Sequence, residues 1–321
     1  MSTSTEQSMI MGKAYEYACL YVINEMVSPI RPVEVVHNSS YDVARHCFEC
    51  ISDQDKQNML KSATAGIDVI IKMEPKIIED GSDNLTISLQ PDNIARTGDI
   101  RDVIIIRRDI KWEIGISVKH NHAALKHSRL SQHIDFGNDW FNVPCSKSYF
   151  ATIKPIFDRL SKLKATKTAW SALLDKEDDV YIPLLNAFMS ELNLLFSEHN
   201  TKVTSGIISY LLGSNGKDYY KLIHHNNHKT TVMPFNVSGT LNQKSNTSDP
   251  KIKIPKIKLP TRIIELAYKE NSKTTVILTM DNGWAISFRI HNASTIVEPS
   301  LKFDIQLIGQ PADLFYIDVD W

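Results

Sequence analysis

Two runs of apolar residues near the middle of the chain predict a β-hairpin. The first run is the β-branched stretch Val103–Ile106, and a polar break at Arg107–Lys111 separates it from the second run, Trp112–Lys119. Apolar and polar residues alternate strictly along the second run, which is typical of a strand with one buried face. The alternation places on one face Glu113, Gly115, Ser117 and Lys119. A short polar break between two such strands predicts a hairpin.

Helices and further strands are predicted on both sides of this hairpin. Apolar residues recur at helical spacing over Ser8–Met26, Ser52–Met73, Ile153–Leu163, Pro183–Glu198 and Thr204–Leu212. A further helix is predicted over Ala123–Ile134, where the apolar periodicity is mixed. Ser52 is a residue type that commonly caps a helix, and Pro183 suits a first helical position. Shorter apolar runs at Val33–Val36 and Leu85–Leu89 predict strands. This mixture of elements predicts an α/β fold, with a mixed sheet flanked by helices.

The pattern changes near Asn236, where a polar and then strongly basic loop begins. Farther on, Asp281-Asn282-Gly283 joins two apolar runs, which is a good hairpin signal. We therefore predict a core with its helical scaffold over residues 1–235. Residues 236–321 are predicted to form a basic loop and a β-rich module that contributes to target recognition.

Composition and charge restrict the classes of protein to which the chain can belong. Of the 321 residues, 42% are hydrophobic and 23% are charged, and the net charge is −1, values typical of a soluble globular protein. The apolar runs are too short to span a membrane, and the first residues do not resemble a secretory signal. We therefore expect a cytoplasmic protein with no membrane partner. Cys47 and Cys50 form a lone C-x-x-C pair, so we interpret the four cysteines as reduced thiols rather than zinc ligands.

The hairpin carries acids and a lysine that could converge at one edge of the sheet. Asp99 and Asp102 precede the first strand, while Glu113 and Lys119 share a face of the second. Carboxylates bind the hard cation Mg²⁺, the cation activates water, and a lysine can position that water and screen a phosphate. These residue types favour phosphodiester hydrolysis. The alternative is an ordinary strand with solvated charges at its ends.

A dense polar and basic segment follows the hairpin. His120 ends the second strand, and the candidate DNA contacts after it are Asn121, His122, Lys126, His127 and Arg129. A bound phosphate backbone would explain these side chains. A zinc site would need further ligands beside the histidines. Consecutive His-Asn-His residues also cannot form the site of the nuclease class that their letters spell.

Spaced lysines in the basic loop are further candidates for contact with a DNA backbone. In KIKIPKIKLP, alternation places Lys253, Lys256 and Lys258 on one side of an extended segment. Such lysines release counterions from phosphate when they bind DNA. The alternative is an edge strand that lysine and proline protect from aggregation.

The second strand and the residues after it read EIGISVKHNHAALKHSRLS, which resembles the core motif of HaeIII-type type II restriction endonucleases. The resemblance spans nearly the whole chain in the family's order, through GKAYEYA, NSS, GDIRD, FGNDWF, PCSKSYF, VYIPLLNAF, GTLNQ and GWAISFRIHNA. It implies a PD-(D/E)xK nuclease core, in which an Asp precedes the first strand of a hairpin and an acid-x-Lys motif lies on the second. Ser117 stands where that acid is expected.

The resemblance implies a Mg²⁺ site whose missing carboxylate comes from elsewhere in the chain. Glu113 on the same strand face and Glu16 on the first helix are both candidates for this carboxylate. Asp102 and Asp99 are both candidates for the first metal ligand. Lys119 is expected to assist the attacking water. Glu16 and His120 are second-rank candidates for contact with metal or water.

The resemblance further implies cleavage of double-stranded DNA at GGCC, between G and C, leaving blunt ends with 5′-phosphates. A separate methyltransferase would protect the host DNA. A palindromic site suggests a homodimer on DNA, although a monomer that acts twice stays open. The alternatives are a structure-specific repair or recombination nuclease and a catalytically inactive DNA-binding protein.

Overall fold

A computed structural model describes residues 4–81, 83–91, 99–120, 128–213 and 216–321. The chain divides into two compact units. The first comprises residues 1–123, 214–257 and 313–321, and the second comprises residues 124–213 and 258–312. These units cross the boundary predicted at residues 235 and 236, so the proposed division of roles between core and recognition module stays a prediction.

Within the described ranges the chain forms six α-helices and twelve β-strands. The helices are α1 (Ser4–Val27), α2 (Ser39–Cys50), α3 (Asp53–Met73), α4 (Phe136–Phe141), α5 (Lys147–Ala165) and α6 (Ile182–Leu212). The strands are β1 (Val33–Val35), β2 (Leu85–Leu89), β3 (Val103–Arg107), β4 (Trp112–His120), β5 (Arg129–Leu130), β6 (Tyr219–His225), β7 (Lys229–Phe235), β8 (Ile263–Tyr268), β9 (Thr275–Met280), β10 (Ala285–His291), β11 (Leu301–Gly309) and β12 (Ile317–Asp320).

The first unit is built on a seven-stranded mixed sheet of order β1-β2-β3-β4-β6-β7-β12. Strands β1 and β2 are parallel, as are β4 and β6, and the other neighbours are antiparallel. One face of the sheet packs against α1 and α3 through a core that includes Ile67, Ile105, Ile114 and Leu222. The predicted α/β class, a mixed sheet flanked by helices, is confirmed.

The predicted hairpin is strands β3 and β4, paired antiparallel with Val103 opposite Ile116 and Ile104 opposite Gly115. Its turn ends at Lys111, whose φ of 51° is left-handed. The glycine at position 115 leaves room for a neighbour, because a Cβ there would lie 2.2 Å from Cδ of Arg101. The small residue on this face is therefore explained by the close approach of an arginine side chain.

The helices of the first unit extend the predicted ones. Helix α1 includes the predicted Ser8–Met26 and extends from Ser4 to Val27. Helix α3 begins directly after Ser52, whose Oγ accepts the amide N–H of Asp55 at 3.1 Å. Helix α2 was not predicted. It begins after Asn38, whose side chain accepts the amide N–H of Tyr41 at 2.9 Å.

The second unit combines α4, α5 and α6 with an antiparallel sheet of order β5-β11-β10-β9-β8. An aromatic cluster holds it together, in which Phe188 lies 4.9 Å from Phe136 and 5.1 Å from Phe303, measured between ring centroids. The predicted Asn-Gly hairpin is β9 and β10, joined by a turn in which Asn282 has a φ of 57°.

The predicted helix over Ala123–Ile134 is wrong in its described part. Arg129 and Leu130 form β5, which pairs with β11 at Lys302 and Leu301. Cross-strand pairing with a distant segment outweighs the weak and mixed apolar periodicity of this stretch. Residues 121–127 lie outside the described residues.

Two predicted helices, Pro183–Glu198 and Thr204–Leu212, form the single element α6, whose backbone leaves the helical conformation at His199 and Asn200. In the described part of the chain, one helical stretch, Glu177–Leu212, is long and apolar enough to cross a membrane. Its most apolar window has 44% of its residues buried within the protein, and Leu184, Leu185 and Phe188 are core residues. The stretch is weak support for a membrane span, because a core helix shows the same features.

Candidate active site

Asp102 lies at the entrance to β3, opposite the end of β4. Its amide N–H donates to the carbonyl of Ile116 at 2.9 Å, which continues the hairpin ladder by one residue. Its Oδ2 accepts the amide N–H of Val118 at 2.6 Å, Nζ of Lys119 at 3.1 Å and the hydroxyl of Ser117 at 3.4 Å. The hairpin register therefore brings Asp102 together with Lys119 and with the position where the family's acid is expected.

Glu16 approaches this cluster from α1. The residue is only 8% exposed, and its carboxylate pairs with Nζ of Lys13 at 3.0 Å. Burial and then the negative charge of Asp102 raise the pKa of Glu16 to about 7, against the attraction of Lys13 and Lys119. The carboxylates of Glu16 and Asp102 are thus close enough to repel each other, which is the arrangement that a shared cation would stabilise.

Asp99 and Glu113 lie in a separate ion-pair cluster around Arg101. The Arg101 guanidinium donates to Asp99 at 2.7 and 2.8 Å and to Glu113 at 2.7 Å, and Nζ of Lys217 donates to Glu113 at 3.0 Å. Glu113 and Ser117 are four positions apart on β4, a distance of about 13 Å at about 3.3 Å per residue. The structure therefore does not bring Asp99 or Glu113 to Asp102.

The pKa values of these two acids also move in the opposite direction from that of Glu16. Burial alone would raise the pKa of Glu113, but hydrogen bonds from Lys217 and Arg101 hold it below its ordinary value. Burial alone would also raise the pKa of Asp99, but the hydrogen bonds and positive charge of Arg101 hold it below its ordinary value. Carboxylates stabilised in this way by arginine and lysine are structural ion pairs rather than open ligands.

Lys221 is a member of the site that the sequence pattern did not reveal. It lies on β6, where the parallel pairing with β4 places it opposite Ser117. The residue is 2% exposed, and its Nζ lies 5.9 Å from the ring centroid of Phe235. Burial and the positive charge of Lys119 lower the pKa of Lys221 to about 8, while Asp102 raises it. The register places Lys221 on the same sheet face as Ser117 and Lys119.

His120 lies on the other face of β4 from Lys119, because side chains alternate along a strand. Its ring stacks on that of His224 at 5.0 Å, and His224 stacks on Trp321 at 5.3 Å. Burial and the neighbouring His120 lower the pKa of His224 to about 4. His120 lines a cavity of about 400 Å³ together with Asp55 and Asn58. It is therefore not part of the Asp102 cluster.

The predicted DNA-contacting residues are only partly described. Asn121, His122, Lys126 and His127 lie outside the described residues. In the first unit, Lys253 and Lys256 are exposed, whereas Ile254 between them and Ile257 directly after them are buried. In the second unit, Lys258 and Arg129 are exposed, and Nη1 of Arg129 donates to the carbonyl of Ser300 at 3.3 Å. The basic segment is not part of a strand.

The donor set at the site suits a hard cation. Among the described residues, no three His, Cys, Asp or Glu side chains form a group that could hold a metal ion by themselves, and the four cysteines are free thiols. A structural zinc site takes four protein ligands, commonly Cys or His. Mg²⁺ is usually held by one or two carboxylates, waters and substrate phosphates, which Asp102 and Glu16 fit.

Comparison with known proteins identifies the family. A family model described as HaeIII restriction endonuclease matches residues 12–311, nearly the full chain. The chain belongs to the HaeIII restriction endonuclease family. It is 46% identical over 311 residues to the Type II restriction enzyme HaeIII of Haemophilus aegyptius, covering 97% of each chain. No solved structure matches.

Family membership confirms the resemblance and makes the protein a restriction endonuclease, a site-specific deoxyribonuclease. The matched range of the HaeIII family includes Glu16, Asp102, Ser117, Lys119 and Lys221, so the whole charged cluster lies within the part of the chain that the family shares. The assignment of roles within that cluster follows from its geometry and is proposed below.

Proposed function

We propose that the protein is a Mg²⁺-dependent type II restriction endonuclease that cuts both strands of DNA at GGCC, between G and C, leaving blunt ends with 5′-phosphates. Membership of the HaeIII family supports the reaction and the target. The observation that carries the mechanism is the pair of carboxylates, Asp102 and Glu16, beside Lys119. This combination of two carboxylates and a lysine supports a site that binds a metal ion and a phosphate.

In this proposal Asp102 and Glu16 hold the metal, and Glu16 supplies the carboxylate that Ser117 lacks. When bound, Mg²⁺ acidifies water and polarises a phosphoryl oxygen. Asp102 is oriented by the amide of Val118, which fixes one of its oxygens. Glu16 binds in its ionised form, so it releases its proton when the metal is bound.

Lys119 orients the attacking water and screens the charge of the phosphate. Its Nζ is held 3.1 Å from Oδ2 of Asp102, and its side chain is 33% exposed, so it reaches both the acid and the solvent from which DNA approaches. A cation held in place before substrate arrives stabilises charge that develops in the transition state at little reorganisation cost.

The protein acts in the cytoplasm on double-stranded DNA, with a separate methyltransferase to modify the host sites. A palindromic target favours two subunits related by symmetry on DNA. The basic lysines Lys253, Lys256 and Lys258 supply backbone contacts, and arginine or lysine side chains read the guanines in the major groove.

Digestion of a long DNA of known sequence, with Mg²⁺ and with EDTA, tests this proposal. Discrete Mg²⁺-dependent fragments whose ends all map to GGCC are expected. Discrete fragments whose ends map to another sequence would contradict GGCC as the target. A smear of fragments would favour the structure-specific nuclease. Intact DNA that still shifts on a gel would mean that Ser117 marks an inactive site in a DNA-binding protein.

A further inference from the structure

Lys221 is a buried lysine in the charged cluster of the proposed site, on a strand that the family's motif does not include. Its partner in the β4–β6 register is Ser117. Paired residues of neighbouring strands point to the same face of a sheet, so Lys221, Ser117 and Lys119 share one face. The side chain of Ser117 is shorter than that of the acid expected at this position, and it carries no charge.

We propose that Lys221 contacts the scissile phosphate together with Lys119, as a second cation in place of the acid that Ser117 lacks. This inference rests on the proposed function, since it assumes that the phosphate binds beside Asp102 and Glu16. The ligand chemistry is a phosphodiester oxygen of the bound DNA.

The cost of a lysine at this position supports a role in binding an anion. Residues with little or no exposure are seldom lysines, because an ammonium group loses its hydration there. Lys221 is 2% exposed and lies near the ring of Phe235. An apolar side chain would avoid that cost, so the presence of a charged group here favours a role for the charge.

The neighbouring charges indicate what the amine binds. Lys119 disfavours the charged form of Lys221, and Asp102 favours it. Asp102 is already engaged by Lys119 and by the amide of Val118. A phosphate that enters beside the two lysines is attracted to both and reduces their mutual repulsion, so two cations side by side on this face favour an anionic ligand.

Three variants separate this role from a structural one. Lys221→Met removes the charge and keeps the length of the side chain, whereas Lys221→Arg keeps a cation. Lys217→Met is the matched control, since Lys217 lies four residues earlier and pairs with Glu113 in the other cluster. Thermal unfolding of each variant checks that the protein is folded.

The first measurement is single-turnover cleavage of a GGCC duplex with saturating enzyme and Mg²⁺. Lys221→Met should cleave about 10²-fold more slowly, the loss typical of one preorganised donor to a developing oxyanion. Lys221→Arg should recover part of the rate, and Lys217→Met should cleave like the wild type. Cleavage by Lys221→Met at the rate of the Lys217→Met control would overturn the inference.

The second measurement is DNA binding in EDTA, with the scissile phosphate either normal or replaced by an uncharged methylphosphonate. Lys221→Met should weaken binding of the normal duplex about tenfold more than binding of the methylphosphonate duplex, as expected for a hydrogen bond to a charged group. Equal weakening of both duplexes would show a structural effect and overturn the contact. The binding measurement tests the contact independently of the cause of slow cleavage.

Asp102→Asn distinguishes failure of the inference from failure of the proposed site. If Asp102→Asn is inactive while Lys221→Met is fully active and binds both duplexes like the wild type, the inference about Lys221 fails alone. If Asp102→Asn cleaves at the wild-type rate, the proposed site itself fails and the inference fails with it. If Lys221→Met does not fold, the same two measurements on Lys221→Arg decide, because an arginine that contacts the phosphate keeps the binding difference between the duplexes.

Discussion

Two charged clusters lie along the same hairpin, and burial outweighs the neighbouring opposite charges in only one of them. Around Arg101, each acid has a close cation, and the pKa values of Asp99 and Glu113 are lowered. Around Asp102, the pKa of Glu16 is raised to about 7 and that of Lys221 is lowered to about 8. In the first cluster, neighbouring cations favour the charged form of each acid. In the second, burial disfavours the charged forms of Glu16 and Lys221.

This difference distinguishes charged residues that stabilise the fold from charged residues that bind a ligand. An ion pair that stabilises the fold favours the charged form of both partners. A binding site for a metal ion and a phosphate holds groups whose charged forms become favourable only when the ligands arrive. Asp99, Asp102 and Glu113 are equivalent candidates in the sequence. In the folded chain Asp99 and Glu113 pair with Arg101, whereas Asp102 pairs with Lys119.

The largest expected effect is that of Lys119→Ala. Loss of the cation beside Asp102 should lower single-turnover cleavage by at least about 10³-fold, while binding of the GGCC duplex stays measurable in a gel-shift assay. Lys217→Ala removes the corresponding cation from the Arg101 cluster and should leave the rate within about threefold. A fully active Lys119→Ala protein would contradict the proposed division between the clusters.

The next effect decides which glutamate replaces the missing acid. Glu16→Gln should lower cleavage by about 10²-fold at saturating Mg²⁺, because one of the two metal ligands is neutralised. Glu113→Gln should cleave normally and lose at most about 1 kcal/mol of stability, since the Glu113 side chain is 35% exposed. If the two rates are reversed, Glu113 is the ligand and the structural assignment is wrong.

Glu74 tests whether a raised pKa by itself marks a site. It is fully buried, and its Oε1 accepts the hydroxyl of Tyr220 at 2.6 Å and the amide N–H of Asn242 at 2.6 Å. Burial raises its pKa from 4.5 to about 7. The folded state therefore binds this proton more tightly than the unfolded chain, and the stabilisation is complete below pH 4.5 and lost as the pH rises to about 7.

Denaturant unfolding across this pH range measures the contribution of Glu74. The contribution should fall by on the order of 2–3 kcal/mol between pH 4.5 and pH 8, at about 1.4 kcal/mol per pKa unit. Subtracting the same curve for Glu74→Gln isolates that loss, and cleavage should be unchanged. Lost cleavage with retained stability would make Glu74 a functional residue.

The smallest effect concerns the pH dependence of the metal requirement. Glu16 must lose a proton to bind Mg²⁺, and its pKa is about 7. Below that pH the Mg²⁺ concentration for half-maximal cleavage should rise by up to about tenfold per pH unit, and above it the dependence should flatten. Titrations from pH 6 to 8.5 measure this, and the Glu16→Gln protein should lack the bend near pH 7. A bend that persists in that variant would assign the proton to another group.

Local patterns predicted the hairpin well because its information is local. Alternation along Trp112–Lys119 and the short polar break are contained in about twenty residues, and β3 and β4 follow them closely. The choice between Asp99 and Asp102 depended on register. The bond from the amide of Asp102 to the carbonyl of Ile116 continues the hairpin register, and the contact between Nζ of Lys119 and Oδ2 of Asp102 shows which acid faces the lysine.

Strand β6 was missed because it does not alternate. All but its last residue are buried, so its two faces do not differ in polarity, as is usual for a central strand of a mixed sheet. Its pairing with β4 joins Ser117 to Lys221 across a long connection. A lysine inside a run of apolar and aromatic residues was the one local signal, and on its own it does not identify a partner.

Local periodicity and motifs in chain order were sufficient to predict the α/β class, the hairpin with its acid and lysine, and the HaeIII family. The approach of Glu16 rather than Glu113 to Asp102, and the position of Lys221 opposite Ser117, could be seen only in the folded chain. Those choices depend on helix packing and strand register between distant segments. Electrostatic energy depends on distance and burial, and neither is encoded in the spacing of residues along the chain.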